Sequence, residues 1–153
     1  LWRSLPREAR LEASQAFWEE PPQEALGGAL AAIIKARHLR PQVARSLPQA
    51  AKSEALATVL DPGEPIAAAL IVGLHLRKRR DLLVAFLDAT KIPHENGLIQ
   101  DDLAGGPVAI ETLREGLTAL RDFAPSQVAV YLNVLWLQDP ERWSLLPEVA
   151  SDL

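Results

Sequence analysis

Seven cations stand where they could grip an anion. Arg77-Lys78-Arg79-Arg80 is an unbroken basic run, and Arg37, Arg40 and Arg45 occupy the corresponding part of an earlier, similar stretch. Gathered on one ridge, such groups bind phosphate or carboxylate through charge-assisted hydrogen bonds. Cations also belong at helix C-termini for local reasons, because they meet the negative end of the helix dipole there. Glu64, Asp81 or the acidic second half of the chain are available to neutralise them. No aromatic residues interleave with the run, as stacking on bases would require.

A second group of polar residues is His94-Glu95-Asn96-Gly97, followed by Asp101-Asp102. A metal-dependent reaction at these residues is a lesser alternative, since one histidine with scattered carboxylates matches neither zinc nor EF-hand spacing. Asn96-Gly97 predicts a turn with positive φ, leaving His94 and Glu95 solvated or capping a neighbour. Glu8 with Glu12, and Glu111 with Glu115, share helix faces but lack the Glu-x-x-His partners of di-metal bundles. No phosphate loop, nucleophile elbow or dinucleotide fingerprint occurs. The absence of cysteine removes disulfides and thiolate chemistry. Ser4, Ser46 and Ser126 fall at helix starts, where capping occupies a hydroxyl. No catalytic residue, metal or cofactor is therefore assigned, and an enzyme is not expected.

The elements that must position these residues are repeated. Arg3-Ser4-Leu5-Pro6 returns as Arg45-Ser46-Leu47-Pro48, and the stripe Leu5, Ala9, Ala13, Phe17 returns as Leu47, Ala51, Ala55, Val59. Each stripe follows the period of a helix. A second helix repeats as well, Leu26 to Arg37 matching Ile66 to Arg77. The spacing predicts helices over about 4–19, 23–39, 47–60, 66–78 (after a turn over 61–65), 81–90, 108–123 and 126–138, then a short last helix that Asp139-Pro140 opens and that carries Trp143. The fourth, apolar all round from Ile66 to Leu74, is expected to be buried on several sides, with Gly73 making room for a bulky neighbour or a close crossing. The seventh is rich in β-branched residues, but its length favours helix over strand. Residues 92–107 form the long irregular segment. The stretch from Phe86-Leu87-Asp88 to Ile92-Pro93-His94-Glu95-Asn96-Gly97-Leu98-Ile99 resembles uncharacterised bacterial helical proteins over a small part of the chain, and the resemblance implies no activity.

The expected fold is all-α: antiparallel helix hairpins, about seven to eight helices, in a HEAT-like or orthogonal-bundle arrangement. The 153 residues suffice for one helical domain, with two degenerate helix pairs in 1–80 and a helical half in 81–153. Residues 1–80 carry 12 Lys/Arg against 8 Asp/Glu, and residues 81–153 carry 4 against 12. Such polarity steers partners or joins molecules head to tail. Apolar runs are too short to span a bilayer. The expectation is a cytoplasmic interaction scaffold without catalysis, presenting its basic helix ends and the 92–107 loop to a protein partner, an acidic one suiting the basic half. Self-association is a variant, and nucleic-acid or phosphate binding is the alternative. Trp18, with Leu11 on a second stripe of the first helix, is a candidate anchor for a partner, against core packing at Gly73 or on the seventh helix.

Overall fold

A computed structural model of the chain describes residues 1–100 and 105–151. The chain is all-α, with one two-stranded hairpin among the described residues. It forms two compact units, Leu1–Lys78 and Arg79–Leu153, divided close to the point where the repeat ends.

The first unit contains α1 (Arg7–Glu19), α2 (Gln23–Arg37), α3 (Pro41–Ser46), α4 (Gln49–Thr58) and α5 (Glu64–Lys78). The repeated tetrapeptide is punctuation between helices. Ser4 ends a 3-10 turn over Trp2–Ser4 and Ser46 ends α3, and each hydroxyl donates to the carbonyl three residues back, Leu1 and Val43. Leu5 and Leu47 are then extended, as are Pro6 (φ −58°, ψ 152°) and Pro48 (φ −57°, ψ 152°), and helices start at the next residue. Ser4 and Ser46 are thus stops, not the N-caps expected of them. A proline whose ring presets φ and whose missing N–H has no intrahelical partner serves as the start. The helix α3, absent from the sequence-based expectation, occupies six residues of what reads as the loop between α2 and α4, opened by Pro41 in its first turn.

The repeat-equivalent helices α1 and α4 pack together and run antiparallel. Trp2 Nε1 donates to the Val59 carbonyl at 2.8 Å and Arg10 Nε to the Ala57 carbonyl at 3.0 Å, so the start of α1 meets the end of α4. At the opposite end Lys52 Nζ sits 5.4 Å from the Trp18 ring centre. Successive repeats of a solenoid stack in one direction; these two copies meet head to tail, as in a bundle. Both helices bury small residues, Ala9, Ala13, Ser14 and Ala16 on α1 and Ser53, Ala55 and Ala57 on α4. The two serines satisfy themselves within their helices, donating to Arg10 and Gln49 carbonyls.

The helix α5 is buried on one side only. Ile66, Leu70, Ile71, Leu74 and His75 face inward, Val72 is exposed, and a Cβ at Gly73 would meet nothing within 4 Å. The close approach occurs instead at Gly28 of α2, where a Cβ would lie 2.6 Å from Ile66 Cδ1. His38 ends α2 in the left-handed conformation (φ 53°), and the N–H groups of His38 and Leu39 return to the Ile34 carbonyl. Glycine usually holds this position.

The second unit contains α6 (Arg80–Ala89), β1 (His94–Glu95), β2 (Leu98–Ile99), α7 (Ile110–Ala119), α8 (Pro125–Gln138) and α9 (Leu146–Ala150). Phe86 of α6 is its centre, edge-on to Tyr131 (5.6 Å, 85°) and 5.9 Å from Trp143. Gly116 of α7 lies beneath it, where a Cβ would stand 2.6 Å from both Phe86 Cε2 and Thr90 Cγ2. Burial pushes the Tyr131 phenol well above its ordinary range. Trp143 sits in a turn before α9 and not within it: Asp139 Oδ1 accepts from the Arg142 N–H at 3.1 Å, and the helix begins at Leu146. The helix α8 runs for 14 residues despite its β-branched content, as its length requires. It is not buried all round, because Trp136 and Leu137 are 39% and 49% exposed.

Candidate interaction surfaces

Of the seven cations, two are spent inside the first unit. Arg77 donates to the carbonyls of Ala16 (3.2 Å) and Glu20 (3.4 Å) and to Glu20 Oε2 (2.5 Å), and Lys78 reaches Glu19 Oε1 at 3.1 Å. They cap the C-terminal end of α1, where unpaired carbonyls and the dipole attract a cation. Arg10 does the same for α4 while also holding the Leu5 carbonyl at 3.1 Å. The end of α1 leads through Pro21-Pro22 into the start of α2, whereas Arg37 closes α2 about 21 Å further along its axis. Arg77 and Lys78 therefore serve the opposite end of α2 from Arg37, Arg40 and Arg45. The expected single ridge does not form within this unit, because α1 and α4 are antiparallel and equivalent helix ends do not lie side by side. Arg79 and Arg80 belong to the second unit, Arg79 buried just before α6 and Arg80 exposed.

What remains is a smaller basic face. Arg37, Arg40 and Arg45 are exposed and form no ion pair among the described residues. Between Glu24 and Glu54 the chain carries Lys35, Arg37, Arg40, Arg45 and Lys52 and no carboxylate, so local neutralisation is absent by composition. Val43 on α3 is 44% exposed.

The His94 segment folds as a hairpin. His94 pairs with Ile99 and Glu95 with Leu98, and the connecting Asn96 (φ 51°) and Gly97 (φ 94°) both adopt the left-handed conformation of a type I′ turn. Gly97 is also packed on Leu83 of α6, 3.1 Å from where a Cβ would be. The imidazole is used twice: its Nδ1 accepts from the Gly97 N–H at 3.1 Å, leaving the proton on Nε2, which donates to Asp88 Oδ1 at 2.7 Å. A ring with both nitrogens engaged pins the hairpin to α6 and has no lone pair to offer a metal or a substrate proton. Glu95 and Asn96 are exposed at the turn. Asp101 and Asp102, the other members expected here, lie outside the described residues. No group of three or more His, Cys, Asp or Glu suited to a metal occurs among the described residues.

The four tryptophans divide differently from expectation. Trp2, Trp18 and Trp143 are buried, and Trp18 is edge-on to Phe17 at 4.9 Å. Its packing is thus on Phe17 and Lys52, and Gly73 is open. The exposed ring is Trp136. It lines a groove of about 290 Å³ between α8 and α9 with Leu132, Asn133, Leu146, Pro147 and Ala150. The helix period of α8 gives no sign of this face, since every side of the helix is apolar; only the tertiary contacts show which side is left open. Among the described residues no helix is long and apolar enough to cross a membrane. Comparison of the chain with protein-family models, with curated proteins and with solved structures finds no match to any of them.

Proposed function

We propose that the chain is a non-catalytic helical interaction module, working in the cytoplasm as an adaptor, and that Arg37, Arg40 and Arg45 form its contact face for an acidic protein surface. The observation that carries this reading is the contrast among its cations: Arg77, Lys78 and Arg10 are bound to carbonyls or carboxylates, while these three arginines are exposed without a partner carboxylate among the described residues. Holding uncompensated positive charge on one face, in a chain with more acidic than basic residues, costs self-repulsion that a partner would relieve. An exposed apolar side chain on the same short helix, Val43, suits contact with a protein surface better than with a phosphate backbone. A chain without cysteine has no disulfide to lose under reducing conditions, which suits a cytoplasmic role.

The test is binding of a labelled poly-glutamate peptide and of a DNA duplex, each across a salt series. The expected result is poly-glutamate binding at low salt, weakened at least about tenfold in R37E/R40E/R45E with helix content and Tm retained. Failure to bind any acidic polymer at low ionic strength removes the proposal. Tighter binding of DNA, with an affinity that falls steeply with salt, replaces it by the nucleic-acid reading.

A further inference from the structure

We propose that Asn96 is a site of covalent self-modification, conversion to isoaspartate, which His94 holds in check for as long as the hairpin stays on α6. The Arg37 face takes no part in it. Asparagine followed by glycine is the pair most prone to this reaction, because glycine has no side chain to shield its nitrogen and lets the chain rotate freely. The Gly97 nitrogen bonds to the side-chain carbonyl carbon of Asn96 and closes a succinimide ring. The bond from that carbon to the side-chain amide nitrogen breaks, and ammonia leaves with the proton that Gly97 has lost. Water then opens the ring at either carbonyl, giving aspartate or isoaspartate, in which the main chain runs through the side-chain carbons. Water is the sole co-reactant.

The folded hairpin exposes one partner of this reaction and withholds the other. Asn96 is exposed at the turn, open to water, whereas Gly97 is buried. In the succinimide the Asn96 carbon takes the position in the peptide plane that the Gly97 proton now holds. That proton is donated to His94 Nδ1, 3.1 Å from the nitrogen, and Asp88 Oδ1, 2.7 Å from Nε2, keeps the ring turned to receive it. Ring closure also rotates the peptide between Asn96 and Gly97 out of its left-handed pair (φ 51° and 94°), and Leu83 lies against that glycine, its Cδ2 and Cβ 3.1 and 3.2 Å from where a Cβ would be. The reaction therefore proceeds from molecules whose hairpin has lifted from α6, at a rate set by how often it lifts. Its isoaspartate product does not return. The extra main-chain carbon has no place in a two-residue type I′ turn, and a carboxylate appears beside Glu95, so a transient opening becomes a lasting release of the hairpin.

Incubation of the full chain at neutral pH tests this, with the Asn96 peptide followed by mass spectrometry and isoaspartate counted by enzymatic methylation. Asn133, the other asparagine in the chain, precedes Val134 within α8 and is the internal control. The folded chain modifies Asn96 at least about tenfold more slowly than the same chain unfolded in urea. His94→Ala raises the folded rate about fivefold, the equivalent of one hydrogen bond lost, with helix content retained and Asn133 unchanged. Asp88→Ala, which leaves the imidazole in place and only frees it to turn, raises the rate about twofold and separates loss of the latch from loss of the unit. In the purified isoaspartate form the Gly97 amide exchanges freely while α7 and α8 keep their protection. A folded rate equal to that in urea, or no rise in either variant, overturns the proposal. A folded rate above that in urea also overturns it, since His94 would then be promoting loss of the Gly97 proton. An isoaspartate form that still protects the Gly97 amide overturns the lasting release.

Discussion

The two units solve the same packing problem with opposite materials. In the first, the packed helices α1 and α4 bury small residues such as Ala9, Ala13, Ser14, Ser53 and Ala55, and the specificity comes from polar locks at the ends: Trp2 and Arg10 on the carbonyls of α4, Arg77 on those of α1. In the second, specificity sits at the centre, where Phe86, Tyr131 and Trp143 interlock over Gly116. Small residues bring helices close but fix their register weakly, because an alanine seam has little shape. Register must then be set by groups that recognise helix ends. Aromatic packing carries its register in its own shape and leaves polar side chains free for other uses.

The comparison breaks most visibly at Phe86. Phe86→Ala is expected to destabilise the second unit by about 3–5 kcal/mol, through lost burial and the cavity left behind. Native-state amide exchange should rise in α6 and α7 while α1 and α4 keep their protection; equal loss in both units would show that they unfold as one. In the first unit the damaging change is an enlargement: Ala13→Leu is expected to cost about 1–3 kcal/mol in chemical denaturation by forcing α1 from α4, whereas Ala68→Leu on the exposed side of α5 leaves the midpoint within error.

Tyr131 gives a pH test confined to the second unit, since it is the one tyrosine in the chain. Its folded-state pKa is raised by burial, so the unfolded chain loses its phenolic proton first. The contribution is fully present below pH about 10 and is lost as pH rises beyond it, by up to about 1.4 kcal/mol per pH unit. Phenolate absorbance should therefore appear together with unfolding; ionisation at about pH 10 in the folded protein would contradict the buried placement. His94→Ala should cost about 1 kcal/mol and unprotect the Gly97 amide while leaving α7 and α8 unchanged. A smaller effect of opposite sign is expected at His38→Gly, which relieves the left-handed residue and should stabilise the first unit by about 0.5–1 kcal/mol.

Helix existence was legible in the sequence because it rests on period and punctuation. The stripe Leu5, Ala9, Ala13, Phe17 is buried as its spacing requires, whereas in its counterpart Ala55 and Val59 are buried and Leu47 and Ala51 only half so; Asn96-Gly97 forms the positive-φ turn its composition demands. What could not be read is direction. A repeated pattern of apolar residues is compatible with parallel or antiparallel contact between its copies, and the choice depends on long-range partners such as Arg10 with Ala57, 47 residues apart. The convergence of cations depended on that choice. Gly73 and Gly28 look equally permissive in sequence, yet only Gly28 is crossed, because which face of α5 turns inward is decided by Ile66, Leu70 and Leu74 together. The two-residue strands of the hairpin are too short to show a period, and His94 holds them through side-chain geometry that composition does not encode.

The antiparallel meeting of α1 and α4 also bears on the order of events during synthesis. The bonds that secure α1 reach far down the chain, Trp2 to Val59 across 57 residues and Arg77 to Ala16 across 61. The helix α1 thus leaves the ribosome well before its cover does, and its apolar stripe must wait for α4 and α5 to emerge. An alanine-rich stripe is well suited to that interval, since it offers a nascent chain little surface for mispairing until the correct neighbour arrives.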